Sequence, residues 1–121
     1  MARITGLGGI FIKSHDPKAL SAWYRDILGI VIEDWGGAIF KRSAQSPEQT
    51  VWNPFEERTE YFTPSVREVM INFAVDDLGT FLKEIEAKGV KVLGRQTMEG
   101  MGSFAWIVDP DGTKIELWQP A

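Results

Sequence analysis

The chain has 121 residues, 44% of them hydrophobic, with a formal net charge of −4, one histidine and no cysteine. That length suffices for one compact domain with its own core. Lack of cysteine excludes disulfides and thiolate metal sites, and a single histidine excludes a His-rich one. The negative balance without a basic run argues against a nucleic-acid partner. No apolar stretch reaches membrane-spanning length and no signal-peptide core opens the chain, so a soluble, cytoplasmic protein is expected.

In chain order, Ile4 to Lys13 reads as a strand. Asp16-Pro17 follows as an N-cap with proline at the first helical position. Leu20, Trp23, Tyr24, Ile27 and Leu28 then recur at helical spacing, and Gly29 supplies the C-terminal stop. The glycine pair Gly36-Gly37 predicts a hairpin between strands at Ile30–Trp35 and Ala38–Arg42. Ser43–Pro47 reads as a polar loop and Thr50–Asn53 as a short strand.

Phe55 to Arg67 is irregular and charged, and reads as a linker in which Tyr61 and Phe62 are apolar enough to pack down. Val69–Val75 is a strand. Asp76 or Asp77 caps a second helix whose stripe is Leu78, Phe81, Leu82 and Ile85, ended by Gly89. Val90–Leu93 reads as a strand and Gly94–Met101 as a loop. Phe104–Val108 and Lys114–Trp118 flank Asp109-Pro110-Asp111-Gly112, which is turn chemistry, so they predict a hairpin. Alternation puts Ile115 and Leu117 on one face and Lys114, Glu116 and Trp118 on the other. A face carrying a lysine, a glutamate and a tryptophan is either solvated or lines a pocket.

Side by side, the halves match in order: strand, Asp-capped helix, terminal glycine, three strands. Gly9 falls opposite Met70, Gly29 opposite Gly89, and Thr50-Val51-Trp52-Asn53-Pro54 opposite Glu116-Leu117-Trp118-Gln119-Pro120. This is an internal βαβββ duplication. Module 1 spans about residues 4–54, a linker 55–68, and module 2 about 69–120, with the free sheet faces curving around a cavity.

A duplicated βαβββ chain carrying DPKALSAWYRDILGI, VDDLGTFLKEIEAKGV and FAWIVDPDGTKIELWQP resembles the vicinal oxygen chelate superfamily. That group includes glyoxalase I, extradiol dioxygenases, and fosfomycin and bleomycin resistance proteins. The resemblance implies an α+β glyoxalase/bleomycin resistance/dihydroxybiphenyl dioxygenase-like fold, a sheet cup with helices outside, and a homodimer. It also implies that the positions of the family's metal ligands are Gly9, Thr50, Met70 and Glu116. Only Glu116 is a competent ligand for a divalent ion, whereas a catalytic zinc takes three protein ligands. No metal or other cofactor is therefore expected.

Glu116 is the candidate catalytic residue, as a general base or a metal ligand, or else a polar anchor for ligand. Phe11, Trp52, Met70, Asn72, Trp106 and Trp118 are the candidate ligand-binding residues. Trp52 and Trp118 sit two residues after Thr50 and Glu116 and are expected to point into the cup. Either Trp106 with Phe104 or Ala105 with Ile107 joins them, depending on register. The lone His15 reads as a loop residue. Three functions follow: a bleomycin-resistance-type binder of a partly aromatic or cationic small molecule, a glyoxalase-like lyase or isomerase using Glu116, or a non-catalytic interaction domain. Negative net charge favours a cationic ligand.

Overall fold

The computed structural model describes residues 2–41 and 48–121. Its elements are β1 (Ile4–Ser14), α1 (Pro17–Leu28), β2 (Ala38–Lys41), β3 (Gln49–Glu56), β4 (Val69–Val75), α2 (Leu78–Ala87), β5 (Gly94–Met98), β6 (Gly102–Val108) and β7 (Lys114–Pro120). The strands form one mixed, curved sheet in the order β2-β3-β1-β4-β7-β6-β5. The first strands of the two halves, β1 and β4, pair antiparallel at its centre. On either side lie the parallel pairs β1–β3 and β4–β7.

The helices start and stop where their caps dictate. Asp16 accepts from the Ala19 amide at 3.1 Å ahead of Pro17, and Asp77 accepts from the Thr80 amide at 3.2 Å. Each such cap contributes about 1 kcal/mol. Gly29, at φ 73°, closes α1 in the left-handed conformation that an L side chain resists. Both helices lie on one face of the sheet. There α2 packs Leu78 and Leu82 against Ala105 and Leu117, all essentially inaccessible. On the same face Tyr24 of α1 stacks on Trp52 of β3, with ring centroids 4.2 Å apart. The opposite face is the concave one.

Two expected strands are absent. Residues 30–35 form none, because their backbone is engaged locally. The Ile30 amide bonds to the end of α1 at Tyr24 (3.3 Å), and Glu33 exchanges bonds with Gly37 and Gly36 in a tight turn (2.8 and 2.9 Å). The hairpin expected at Gly36-Gly37 is therefore a turn leading into β2 alone; Arg42 and the loop at 43–47 lie outside the described residues. In the second half Val90 bonds back to Ile85 of α2, so the strand is displaced from 90–93 to β5. Its sequence, GRQTM, is polar because β5 is a sheet edge with its side chains in solvent.

The connection after β3 closes one end of the concave face. Phe62 is fully buried against Phe11 and Met70, with Phe55 edge-on to its ring. Ser65 Oγ donates to the Gly112 carbonyl, and Arg67 Nη2 donates to that of Asp111 at 2.9 Å, fastening the connection to the β6–β7 turn.

Candidate functional site

One rung of the sheet crosses the cup and defines the site. Val51 pairs with Gly9, Gly9 with Asn72, Asn72 with Glu116, and Glu116 with Trp106. Partners on a rung face the same side, so the buried Glu116, 2% exposed, sits mid-floor between Asn72 and Trp106. Asn72 Nδ2 donates to Glu116 Oε1 at 2.7 Å, and Trp106 Nε1 donates to Oε2 at 2.8 Å. A third donor arrives from the connection, where the Tyr61 hydroxyl bonds to the same Oε2.

Lys114, two residues before Glu116 on the same face and 8% exposed, completes the cluster. Its Nζ donates to the Tyr61 carbonyl and lies 5.1 Å from the Tyr61 ring centroid and 5.6 Å from that of Trp106. Burial lowers the Lys114 ammonium's pKa, while the charge of Glu116 opposes that shift. Burial, then the charge of Glu116 and the bond to it, raise the Tyr61 phenol well above its ordinary value. Tyr61 therefore stays a neutral donor at physiological pH.

Beside this polar centre lies a half-open cavity of about 910 Å³. Glu116, Asn72 and Asn53 are among its polar lining groups; Phe11, Trp35, Val51, Phe55, Tyr61, Phe104 and Trp118 supply apolar wall. Two stacked pairs frame it. Phe104 lies on Trp118 with planes 4° apart and centroids at 6.1 Å, and Phe55 on Tyr61 at 12° and 5.5 Å. Gly8 also lines it, for steric reasons: a Cβ there would come within 2.0 Å of Asn72 Oδ1 and 3.1 Å of Trp118 Cε3. A second hollow of about 750 Å³ around Thr5–Leu7 and Thr50 includes neither Glu116 nor a tryptophan, so the cup is the candidate site.

The sequence candidates divide accordingly. Glu116, Asn72, Phe11 and Trp118 come together around the cavity. Trp106 takes the inward register with Phe104, since the pairings are Trp106 to Glu116 and Phe104 to Trp118. Its indole contacts Glu116 and Tyr61 rather than lining the open space. Met70 is sealed between Phe11 and Phe62. Trp52 does not point into the cup; it stacks on α1, because alternation gives the inward positions of β3 to Val51, Asn53 and Phe55. The internal alignment is thus one residue out in β3, and Val51, not Thr50, shares the rung of Glu116. Thr50 Oγ1 instead donates to the Leu7 carbonyl at 3.0 Å. Sequence reasoning leaves Tyr61 and Lys114 out of the candidate residues. The lysine was legible, as a third member of the Lys-Glu-Trp face; no spacing signal links Tyr61 to a carboxylate 55 positions away.

This donor set does not fit a divalent metal. The atoms converging on Glu116 are N–H and O–H donors, whereas a cation needs lone pairs and charge. Among the described residues no three His, Cys, Asp or Glu side chains gather where an ion could sit.

Residues 9–118 match the family of glyoxalase-like domains. The chain belongs to that family, within the glyoxalase/bleomycin resistance/dioxygenase, or vicinal oxygen chelate, superfamily. Among solved structures it is similar to methylmalonyl-CoA epimerase from Streptomyces coelicolor, a variant in complex with 2-nitronate-propionyl-CoA. That match has 20% identity and a TM-score of 0.74, over 98% of this chain and 99% of that one. The epimerase from Mycobacterium tuberculosis matches at 22% identity and a TM-score of 0.66, over 98% and 89% of the two chains. A superfamily member from Vibrio splendidus 12B01 matches at 13% and 0.59, over 98% and 99%. These likenesses establish the shared fold. No curated protein matches the chain in sequence.

Proposed function

We propose that this protein is a metal-independent binder of small, flat, partly aromatic molecules, in the manner of a bleomycin resistance protein. The observation that carries the reading is the cavity of about 910 Å³ framed by the Phe104–Trp118 and Phe55–Tyr61 stacks. Its size falls within the range of small-molecule sites, about 300–1,000 Å³, and apolar walls with a few convergent polar groups are their usual make-up. Stacked rings offer flat faces to a planar ligand, and such contacts contribute about 0.5–1.5 kcal/mol beyond area burial. Titrating chelator-treated protein with a panel of planar heterocycles, read by tryptophan fluorescence, tests this. Quenching that persists with chelator and weakens in Trp118→Ala supports it; binding that requires a divalent ion overturns it.

A second reading, an isomerase with Glu116 as base, draws on the buried carboxylate and on the fold shared with methylmalonyl-CoA epimerases. Three donors already bonded to Glu116 weigh against it, since they occupy both carboxylate oxygens and a general base must reach the substrate proton directly. Exchange of the α-proton of methylmalonyl-CoA with solvent deuterium, abolished by Glu116→Ala, would replace the binder reading with this one.

The protein is further proposed to act as a cytoplasmic homodimer. Trp23, Ile27 and Leu28 of α1 and the following Val31 are 50–75% exposed, an apolar strip suited to a second copy. Light scattering at micromolar concentration tests that.

A further inference from the structure

The charge class of the ligand follows from how Glu116 is held. A buried carboxylate in an aromatic cup would ordinarily recruit a cation. Here both oxygens already carry donors: Asn72 Nδ2 on Oε1, and Trp106 Nε1 with the Tyr61 hydroxyl on Oε2. Lys114 supplies a positive charge from the same face, seated against the Tyr61 and Trp106 rings. The negative charge is thus compensated within the protein.

A cationic group reaching Glu116 would have to evict one of these donors. The evicted group would lose its acceptor, at most cost for the fully buried Asn72, and the incoming charge would be repelled by Lys114, which packs on the rings of both Oε2 donors. A neutral ring incurs neither penalty. Tyr61 is the donor placed to decide the matter. Tyr61 and Asn72 both line the cavity with Glu116, whereas Trp106 does not, and of those two donors only Tyr61 bonds to Oε2. Tyr61 belongs to the connection, held by its carbonyl on Lys114 and by the neighbouring fully buried Phe62.

We infer that Tyr61 is a specificity-determining residue: its hydroxyl occupies the cup-facing side of the Glu116 carboxylate, so the site selects neutral flat ligands and rejects cationic ones of the same shape. This rests on the reading of the cup as a flat-ligand site and adds the ligand's charge. It reverses the preference for a cation that net charge alone suggests, because local pairing outweighs a screened, distributed charge.

The test uses an isosteric pair, naphthamide and the cationic naphthamidine, with affinities measured by calorimetry for the wild type, Tyr61→Phe and Tyr61→Leu. The expected wild-type preference for the amide is about tenfold or more, equivalent to 1.4 kcal/mol or more. Tyr61→Phe frees one side of Oε2 and should move the ratio toward the amidine by about tenfold. Tyr61→Leu, which removes the same hydroxyl, should move it the same way and carries the test if Tyr61→Phe does not fold. If both probes bind and the ratio stays the same in every folded variant, the inference is wrong while flat-ligand binding stands. If neither probe binds any folded form, the flat-ligand reading fails and the inference falls with it.

Discussion

Trp106 and Glu116 face each other across the β6–β7 ladder, and the indole N–H donates to the carboxylate at 2.8 Å. The hairpin register alone brings them together. Around that pair the fold adds Asn72 from the neighbouring strand and Tyr61 from the connection, so one carboxylate links three segments far apart in sequence. A charge bound in this way fixes structure as well as lining a site.

Removing that charge should destabilise the protein markedly. Glu116→Ala leaves three donors without their acceptor; a buried orphan such as Asn72 costs about 1–3 kcal/mol, and the part-buried Trp106 and Tyr61 add less. A total loss of about 3 kcal/mol or more is expected from chemical denaturation, with Glu116→Gln losing less because it keeps the shape and one acceptor oxygen. A loss below about 1 kcal/mol would mean the donors find other partners.

Tyr61 should titrate late. Its folded-state pKa is raised, chiefly by burial and then by Glu116, above the unfolded value of about 10. A raised pKa contributes stability that is fully present below that unfolded value and is lost as pH rises toward the folded one. Lys114 acts oppositely. Its depressed folded pKa makes the buried ammonium a cost at neutral pH, relieved as pH rises toward its unfolded value of about 10.4. In an alkaline titration followed by phenolate absorbance, a step later than that of a free phenol should be seen and should disappear in Tyr61→Phe.

Gly8→Ala should disturb the floor of the cup. The added methyl would overlap Asn72 Oδ1, a buried atom with no hydrogen-bond partner of its own, and press on the Trp118 ring. Overpacking of this kind costs about 1–3 kcal/mol. Thermal unfolding should show the loss, and ligand affinity should fall with it; full retention of both would mean that Asn72 can turn aside freely.

Two tryptophans that look alike in the sequence should behave differently. Trp118→Ala removes part of the cavity wall and should weaken binding of a flat ligand about tenfold or more. Trp52→Phe alters only the stack on Tyr24 and should reduce stability while leaving affinity intact. Loss of affinity in Trp52→Phe would contradict the placement of the cup.

Much of this was legible in the chain. The caps at Asp16 and at one of Asp76 and Asp77, the stop at Gly29, the turn at Asp109–Gly112 and the shared face of Lys114, Glu116 and Trp118 are local, because capping, glycine conformation and strand alternation act over a few residues. The family resemblance in those segments carried the fold. The rest depended on partners the sequence does not place. A one-residue offset in β3 turns Trp52 outward and Val51 inward, since each step along a strand reverses the face. The stretch 30–35 has strand-like composition but spends its backbone bonds on α1 and on the Gly36–Gly37 turn. Tyr61 reaches Glu116 only because Phe62 seats the connection in the core beside it. The sequence by itself determined which residues are apolar, capped or turned. Tertiary structure decided which donors meet the buried Glu116 carboxylate, because long-range contacts are set by the packing of the whole sheet and not by spacing along the chain.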